Sequence, residues 1–268
     1  VGGADMVVFG YEWKRSRKYI FIWAIAVAVC VFVMTPVYYE MIGMTDSLPE
    51  NFAQGGFFET LGVSLALLQE HLGMYAFLNS FFMIAGGIFG MHFGLSMYAK
   101  ECTENTAEYL FSKPCGRKTI CRGKSLCVLC GVCVVGAAYF AGSFLTLSLF
   151  KPGFPLGEFF LYACSFSLVA LFFGAFGLLW GSVGPNNRSP LLTAGLVIFL
   201  EYCVTAFAQT VDNRILAFLS PFSFFKPTPI HELGFYRMDY LIWHLLLTGA
   251  FLALSYRMLL KRDIKFSA

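Results

Sequence analysis

Six stretches of this chain are apolar over roughly 20 residues or more, the length that a helix needs to cross a hydrocarbon core about 30 Å thick. They run Tyr19 to Tyr39, Met74 to Ala99, Ser125 to Phe150, Phe159 to Gly181, Pro190 to Val211 and Tyr240 to Leu260, and the polar residues collect in the gaps between them. The runs are continuous, whereas barrel strands would show short segments of strict alternation. A backbone with no water to bind must satisfy its own polar groups, so these runs predict helices. The fold expected is an all-α membrane protein with six transmembrane helices, organised as one transmembrane domain over residues 1–268.

The gaps carry patterns of their own. Ahead of the first run, Met6, Phe9 and Trp13 repeat at helical spacing beside Lys14, Arg15, Arg17 and Lys18. That pattern predicts a helix over 6–18 lying in the membrane interface, with a basic flank that only sets orientation as the alternative. The segment 40–73 has no Lys or Arg but holds Glu40, Asp46, Glu50, Glu59 and Glu70. After its Gly55-Gly56 break, Phe57, Leu61, Leu65, Leu68 and Leu72 fit one stripe of a short amphipathic helix. The segment 212–239 contains SPFSFFKPTP, too aromatic for a solvated loop, and is expected to pack back onto the outer mouth of the protein. Lys151-Pro152-Gly153 and Gly184-Pro185-Asn186-Asn187-Arg188 are tight helix-breaking turns. Gly86, Gly87, Gly90 and Gly94 in the second run, with Gly174, Gly177 and Gly181 in the fourth, predict close helix contacts.

Composition agrees with the pattern: 58% of the 268 residues are hydrophobic and 13% charged, against about a quarter charged in soluble domains. Charge then sets orientation, because basic flanks stay in the cytoplasm. Fifteen of the 19 basic residues flank the runs on the side that holds both termini, and the alternate loops keep only Lys151, Arg214, Lys226 and Arg237. Both termini are therefore expected in the cytoplasm. The net charge of +3 reports this topology and implies no nucleic-acid partner. The first run starts too late and continues too long for a cleaved signal peptide. None of the nine cysteines falls in an expected outer loop, which argues against a disulfide framework. Cys127, Cys130 and Cys133 form C-x-x-C-x-x-C inside an apolar run with no nearby His or carboxylate, so they read as packing residues and no metal site is expected.

The densest polar block is 100–124, where six basic residues stand with Glu101, Glu104 and Glu108. Its Gly123-Lys124-Ser125 is the tail of a phosphate-binding loop, but the first glycine of that motif would fall on Lys118 and no strand precedes it. No nucleotide site is expected on this chain on those grounds. The stretch E-N-T-A-E-Y-L-F-S-K-P-C-G-R, followed by Lys124, instead resembles the first cytoplasmic loop of the ABC type-2 export permeases, whose pattern is roughly E-x-G-T-x-E-x-L-x-S-x-P-x-S-R and then a Lys. Thr106, Glu108, Leu110, Ser112, Pro114, Arg117 and Lys124 fall on it and Glu104 stands one position from its first Glu, with Asn105 and Gly116 replacing the usual Gly and Ser. SPFSFFKP before the sixth run and the terminal Lys-Arg-Asp are further points of likeness.

The resemblance implies a permease subunit of an exporter, in the cytoplasmic membrane of a bacterial cell, with a coupling helix between spans two and three. It implies that Glu101, Glu104, Thr106, Glu108, Leu110, Pro114, Arg117 and Lys124 couple the chain to an ATP-binding-cassette ATPase present in two copies. It also implies a second permease copy, no catalysis and no cofactor on this chain, and ATP with Mg on the partner. The family exports peptides, lipids, polysaccharides and drugs, and charge-poor spans favour amphipathic peptides among these. A secondary transporter would show more intramembrane charge and matched helix breaks. A membrane enzyme would cluster nucleophiles or metal ligands, whereas His71, His92, His231 and His244 are scattered.

Glu201 is the one charge near the middle of a run. A carboxylate there costs roughly 2.5–3.5 kcal/mol on insertion scales, so it should face protein or water. His92 and Asn79 of the second span are its candidate partners, with a protonated state as the alternative, and its role is either structural or in the pathway. His244, near the outer end of the last run, is expected to snorkel toward water.

Overall fold

The computed structural model describes residues 3–43, 63–68, 70–103, 116–184, 187 and 189–261. Among them the chain is helical with no strand, in the order α1 (Gly3–Gly43), α2 (Leu65–Leu68), α3 (Gly73–Thr103), α4 (Arg117–Phe150), α5 (Leu156–Val183), α6 (Pro190–Thr210), α7 (Arg214–Ala217), a 3-10 turn (Pro221–Phe225), α8 (Pro227–Leu233) and α9 (Met238–Lys261). Six of these, α1, α3, α4, α5, α6 and α9, are long and apolar enough to cross a membrane. They coincide with the six runs of the sequence. Arg122 of α4 approaches Asp5 of α1, and Arg117 of α4 meets Leu260 of α9, so the start of α1, the start of α4 and the end of α9 lie together on one side, called the terminal face below.

Two parallel helix pairs build the bundle. In the first, α3 and α5 run side by side at its centre, and glycines set their separation. A Cβ added at Gly90 would stand 2.0 Å from the Ala170 carbonyl oxygen, one at Gly94 2.2 Å from that of Gly174, and one at Gly177 2.5 Å from that of Met91. Backbone thus meets backbone directly, as rows of small residues allow in membranes, where lipid offers no hydrophobic force to drive helices together. Around this contact lie Phe89, Phe93, Phe166, Val169 and Phe173, all buried.

The second pair, α1 and α4, is joined by contacts that advance together along both helices. Val8 meets Gly123, Ile20 and Phe93 close on Gly131, and Ala28 meets Gly142. At 41 residues α1 is about 60 Å long, roughly twice the hydrocarbon core. The residues 6–18, expected as an interfacial helix, are helical and form the opening turns of α1, continuous with its apolar run. No proline interrupts them, and their inward face keeps packing on α4 past the apolar run, while Met6, Val7 and Tyr11 point outward and exposed. By the same packing α4 starts at Arg117, eight residues ahead of the apolar run. Its Ile120, Cys121 and Lys124 turn inward while Lys118 and Arg122 stay exposed.

On the far side, the expected stripe after Gly55 is described only in part. Phe57 and Leu61 lie outside the described residues, whereas Leu67, Leu68 and Leu72 are buried around the single turn of α2. The proline-rich segment does pack back onto the bundle. All five residues of Pro221–Phe225 are buried, and Phe222 meets Phe173 of α5 and Tyr202 of α6, while Phe224 stacks on Tyr240 of α9. Irregular backbone is tolerated at that depth because protein covers it. The Tyr162 hydroxyl donates to the Pro227 carbonyl and pins the segment to α5. Apolar side chains on α1, α6 and α9 remain widely exposed, among them Ile22, Ile25, Leu192, Phe199, Leu200, Ile242 and Leu246.

Candidate functional site

The polar block joins the end of α3 at Thr103 to the start of α4 at Arg117, and both ends lie on the terminal face. Glu104, Thr106, Glu108, Leu110 and Pro114 fall outside the described residues. Glu101 belongs to the final turn of α3. The two remaining coupling candidates are on α4. Arg117 donates through Nη1 to the Leu260 carbonyl at 3.3 Å, which ties the start of α4 to the last turn of α9.

Lys124, the other, turns inward, away from the exposed Lys118 and Arg122. It is 0% exposed, and its Nζ donates to Oε1 of Glu12, itself 1% exposed, at 2.8 Å. The same ammonium donates to the carbonyl of Met97 on α3 and sits 5.4 Å from the Tyr98 ring centroid. Helix periodicity explains the inward turn. Lys118 and Arg122 occupy the exposed side of α4, and Lys124 falls on the side that faces α1 and α3. A buried ammonium is tolerated only when paired and hydrogen-bonded, and both conditions hold here. Beside it the Tyr98 hydroxyl reaches the Cys121 sulfur at 3.7 Å, and Arg122 approaches Asp5 at 3.8 Å on the surface. Glu12 escaped the sequence reading. Its signal was present, since it is the one carboxylate in 6–18, two residues ahead of the basic stretch that precedes the first run.

The intramembrane candidates do not come together. Asn79 is fully buried, accepts from the Tyr139 hydroxyl at 2.7 Å and donates to Ser165 Oγ at 2.9 Å, linking α3, α4 and α5. Nδ1 of His92 is 2.6 Å from the Tyr19 hydroxyl, with the Phe89 and Phe93 rings packed on the same tyrosine. Glu201 therefore has neither expected partner: its Oε2 makes no hydrogen bond, its carboxyl meets the Ser220 side chain, and its backbone carbonyl accepts from Thr205 Oγ1 at 3.1 Å and Ser220 Oγ at 2.9 Å. Ser220 immediately precedes the buried 3-10 turn, so Glu201 stands where that turn reaches α6. His244 does not snorkel. It is 1% exposed and packed by the rings of Phe172 and Phe225, with centroids at 5.3 and 5.1 Å. The cysteine run spreads around α4, with Cys127 buried and Cys133 exposed.

The terminal-face cluster and the six-span bundle are the setting for the polar block, and the chain-wide comparison agrees with them. A family model described as ABC-2 family transporter protein matches residues 6–264. The chain belongs to the ABC-2 transporter family. No curated protein matches it. As an ABC-2 transporter it is a multi-pass membrane protein and a transport subunit of the exporter permease type, in a family whose members typically pair with an ATPase subunit. The match begins at Met6, so it takes in the opening turns of α1 that carry Glu12, as well as all six spans and the block between α3 and α4.

Proposed function

We propose that this ABC-2 permease forms an export path with a second copy of itself and is driven by two ATPase subunits docked on the terminal face, which is cytoplasmic. The observation that carries the reading is the family match over 6–264. The loop motif at 104–117 and the tying of both its flanking helices to α1 and α9 support it. Glu104 and Glu108 are four residues apart, so a helical loop would present them on one face to a basic rim of the ATPase. Leu110 and Pro114 would shape that helix, Thr106 and Glu101 would border the contact, and Arg117 would hold its exit. ATP and Mg belong to the partner, because this chain lacks a phosphate-binding loop. The exposed apolar faces of α1, α6 and α9 leave surface for both lipid and the second copy.

The substrate proposed is an amphipathic peptide of the antimicrobial or cytolytic kind. Its apolar face could partition into a charge-poor path at about 25 cal/mol per Å² buried. The acidic segment 40–70 would tolerate a cationic face at the exit. Co-expression with an ATPase of the cassette type tests the assembly. The purified chain alone should hydrolyse no ATP, the pair should co-purify, and Glu108→Lys should release the ATPase while the permease still inserts. Undiminished ATPase binding by Glu108→Lys would remove the coupling role of the loop. Stimulation of the reconstituted complex by amphipathic peptides, compared with scrambled peptides, lipids, sugars and drugs, tests the substrate. A response to lipid or sugar alone would reassign it.

A further inference from the structure

The Glu12–Lys124 pair lies where three helices meet, each contributing one polar group. Glu12 comes from α1, Lys124 from α4 and the Met97 carbonyl from α3. Met97 stands six residues before the end of α3, and Lys124 seven residues after the start of α4. The two helix stubs that leave this junction are those that the polar block connects. Below the junction Tyr98 bonds Cys121 across the same two stubs, and Val8 fills the space over Gly123. Lys124 is thus held from both sides, by a carboxylate on α1 and by a carbonyl on α3.

Chain insertion and hydrophobic packing do not require an ion pair here. The surroundings are Ile120, Cys121, Val8, Tyr98 and Met97, a site that apolar side chains of similar volume could fill, and replacing a buried pair in that way is often neutral or stabilising. What an apolar filling cannot supply is direction. A leucine against a methionine slides and repacks, whereas an ammonium shared between a carboxylate and a carbonyl fixes the axial position of α1 against α3 and α4. Motion of packed elements travels through such discrete contacts.

We infer that Glu12 and Lys124 are positioning residues that clamp α1 to both stubs of the loop, so that a push on the loop moves all three helices as one lever. This rests on the proposed docking of an ATPase at that loop. The clamp makes the N-terminal turns of α1 part of the drive, a role beyond orienting the chain. It also gives Lys124 a function that needs no contact with the ATPase.

The experiment compares the wild-type complex, reconstituted with its ATPase in nanodiscs, with two neutral double variants, Glu12→Leu with Lys124→Met and Glu12→Gln with Lys124→Met. Both remove the directional tie without leaving a buried charge alone, which either single variant would do. Thermal melting, ATPase affinity and permease-dependent ATP turnover are measured on each. The expected result is unchanged melting and affinity with the permease-dependent part of the turnover reduced about tenfold, the scale of coupling changes along a contact network. Turnover equal to wild type in a folded double variant overturns the clamp, since filling alone would then suffice. Failure of both doubles to fold also overturns it, by making the pair a folding determinant. A wild-type chain that binds no ATPase would instead remove the reading on which the clamp rests, an outcome distinct from either.

Discussion

At Glu201 the structure separates stability from function. An intramembrane carboxylate costs roughly 2.5–3.5 kcal/mol to insert, and here Oε2 recovers none of that through a hydrogen bond. Glu201→Leu should therefore melt no lower than wild type and gain up to about 3 kcal/mol in insertion, with Glu201→Gln close behind. A drop in melting temperature for Leu would reveal a structural partner. If the charge serves transport, both variants should export less at equal expression. Asn79 is the opposite case. Asn79→Leu takes away the acceptor of the buried Tyr139 hydroxyl and one of the two bonds of Ser165, which still donates to the Tyr162 carbonyl, and should cost about 1–3 kcal/mol, read as a lower melting temperature in detergent with membrane insertion retained. Sequence reading found these polar positions but mispaired them. A residue's depth follows from counting along its run, whereas its partner depends on how neighbouring helices are rotated, and one position of error turns a side chain by about 100°. The same limit hid the inward face of Lys124 and the aromatic enclosure of His244.

Between the long helices, the contact of α3 with α5 is exacting, because carbonyl oxygens stand where a side chain would begin. Gly90→Val and Gly94→Leu would force the pair apart at 2.0 and 2.2 Å clashes with fixed backbone. They should abolish the folded monomer, giving aggregation in size-exclusion chromatography. Gly195→Ala and Gly249→Ala, where a Cβ meets nothing within 4 Å, should elute as wild type. Normal folding of Gly94→Leu would mean that α3 and α5 do not pack as described. This contact was legible in the sequence, since rows of glycine three and four apart can only mark a close approach in a run otherwise built of Phe, Leu and Met. Helix ends were less legible. α1 and α4 outrun their apolar runs because amphipathic turns go on packing where hydropathy falls, and a hydropathy window sees only the fall. The buried Pro221–Phe225 turn lay between. Its composition announced burial, but how far it reaches toward Glu201 depends on the cavity left by α5, α6 and α9, which no local pattern encodes.

For the molecule as a whole, the distribution of Lys and Arg predicts which face meets the cytoplasm, and the bundle sharpens how that is tested. Arg122 is 64% exposed on the terminal face and Ile215 of α7 82% exposed on the opposite one. Both are exposed, whereas Thr228 is half-buried and its hydroxyl accepts from the backbone N–H of Ser64 at 2.9 Å. In a cysteine-free background, Ile215→Cys should react with a membrane-impermeant maleimide on intact cells. Arg122→Cys and Ser112→Cys should react only after the membrane is opened. The flanking charges make the opposite outcome improbable on physical grounds, since inverting the chain would carry fifteen basic residues across the membrane, leaving four behind. Labelling of Ser112→Cys from outside would nonetheless place the loop beyond the reach of any cytoplasmic ATPase. It would void the coupling role of Glu104 and Glu108 and the lever through Glu12 and Lys124 together. Protection of both terminal-face reporters, with Ile215→Cys labelled, puts the loop, the clamp and the final turn of α9 on the side where ATP is found.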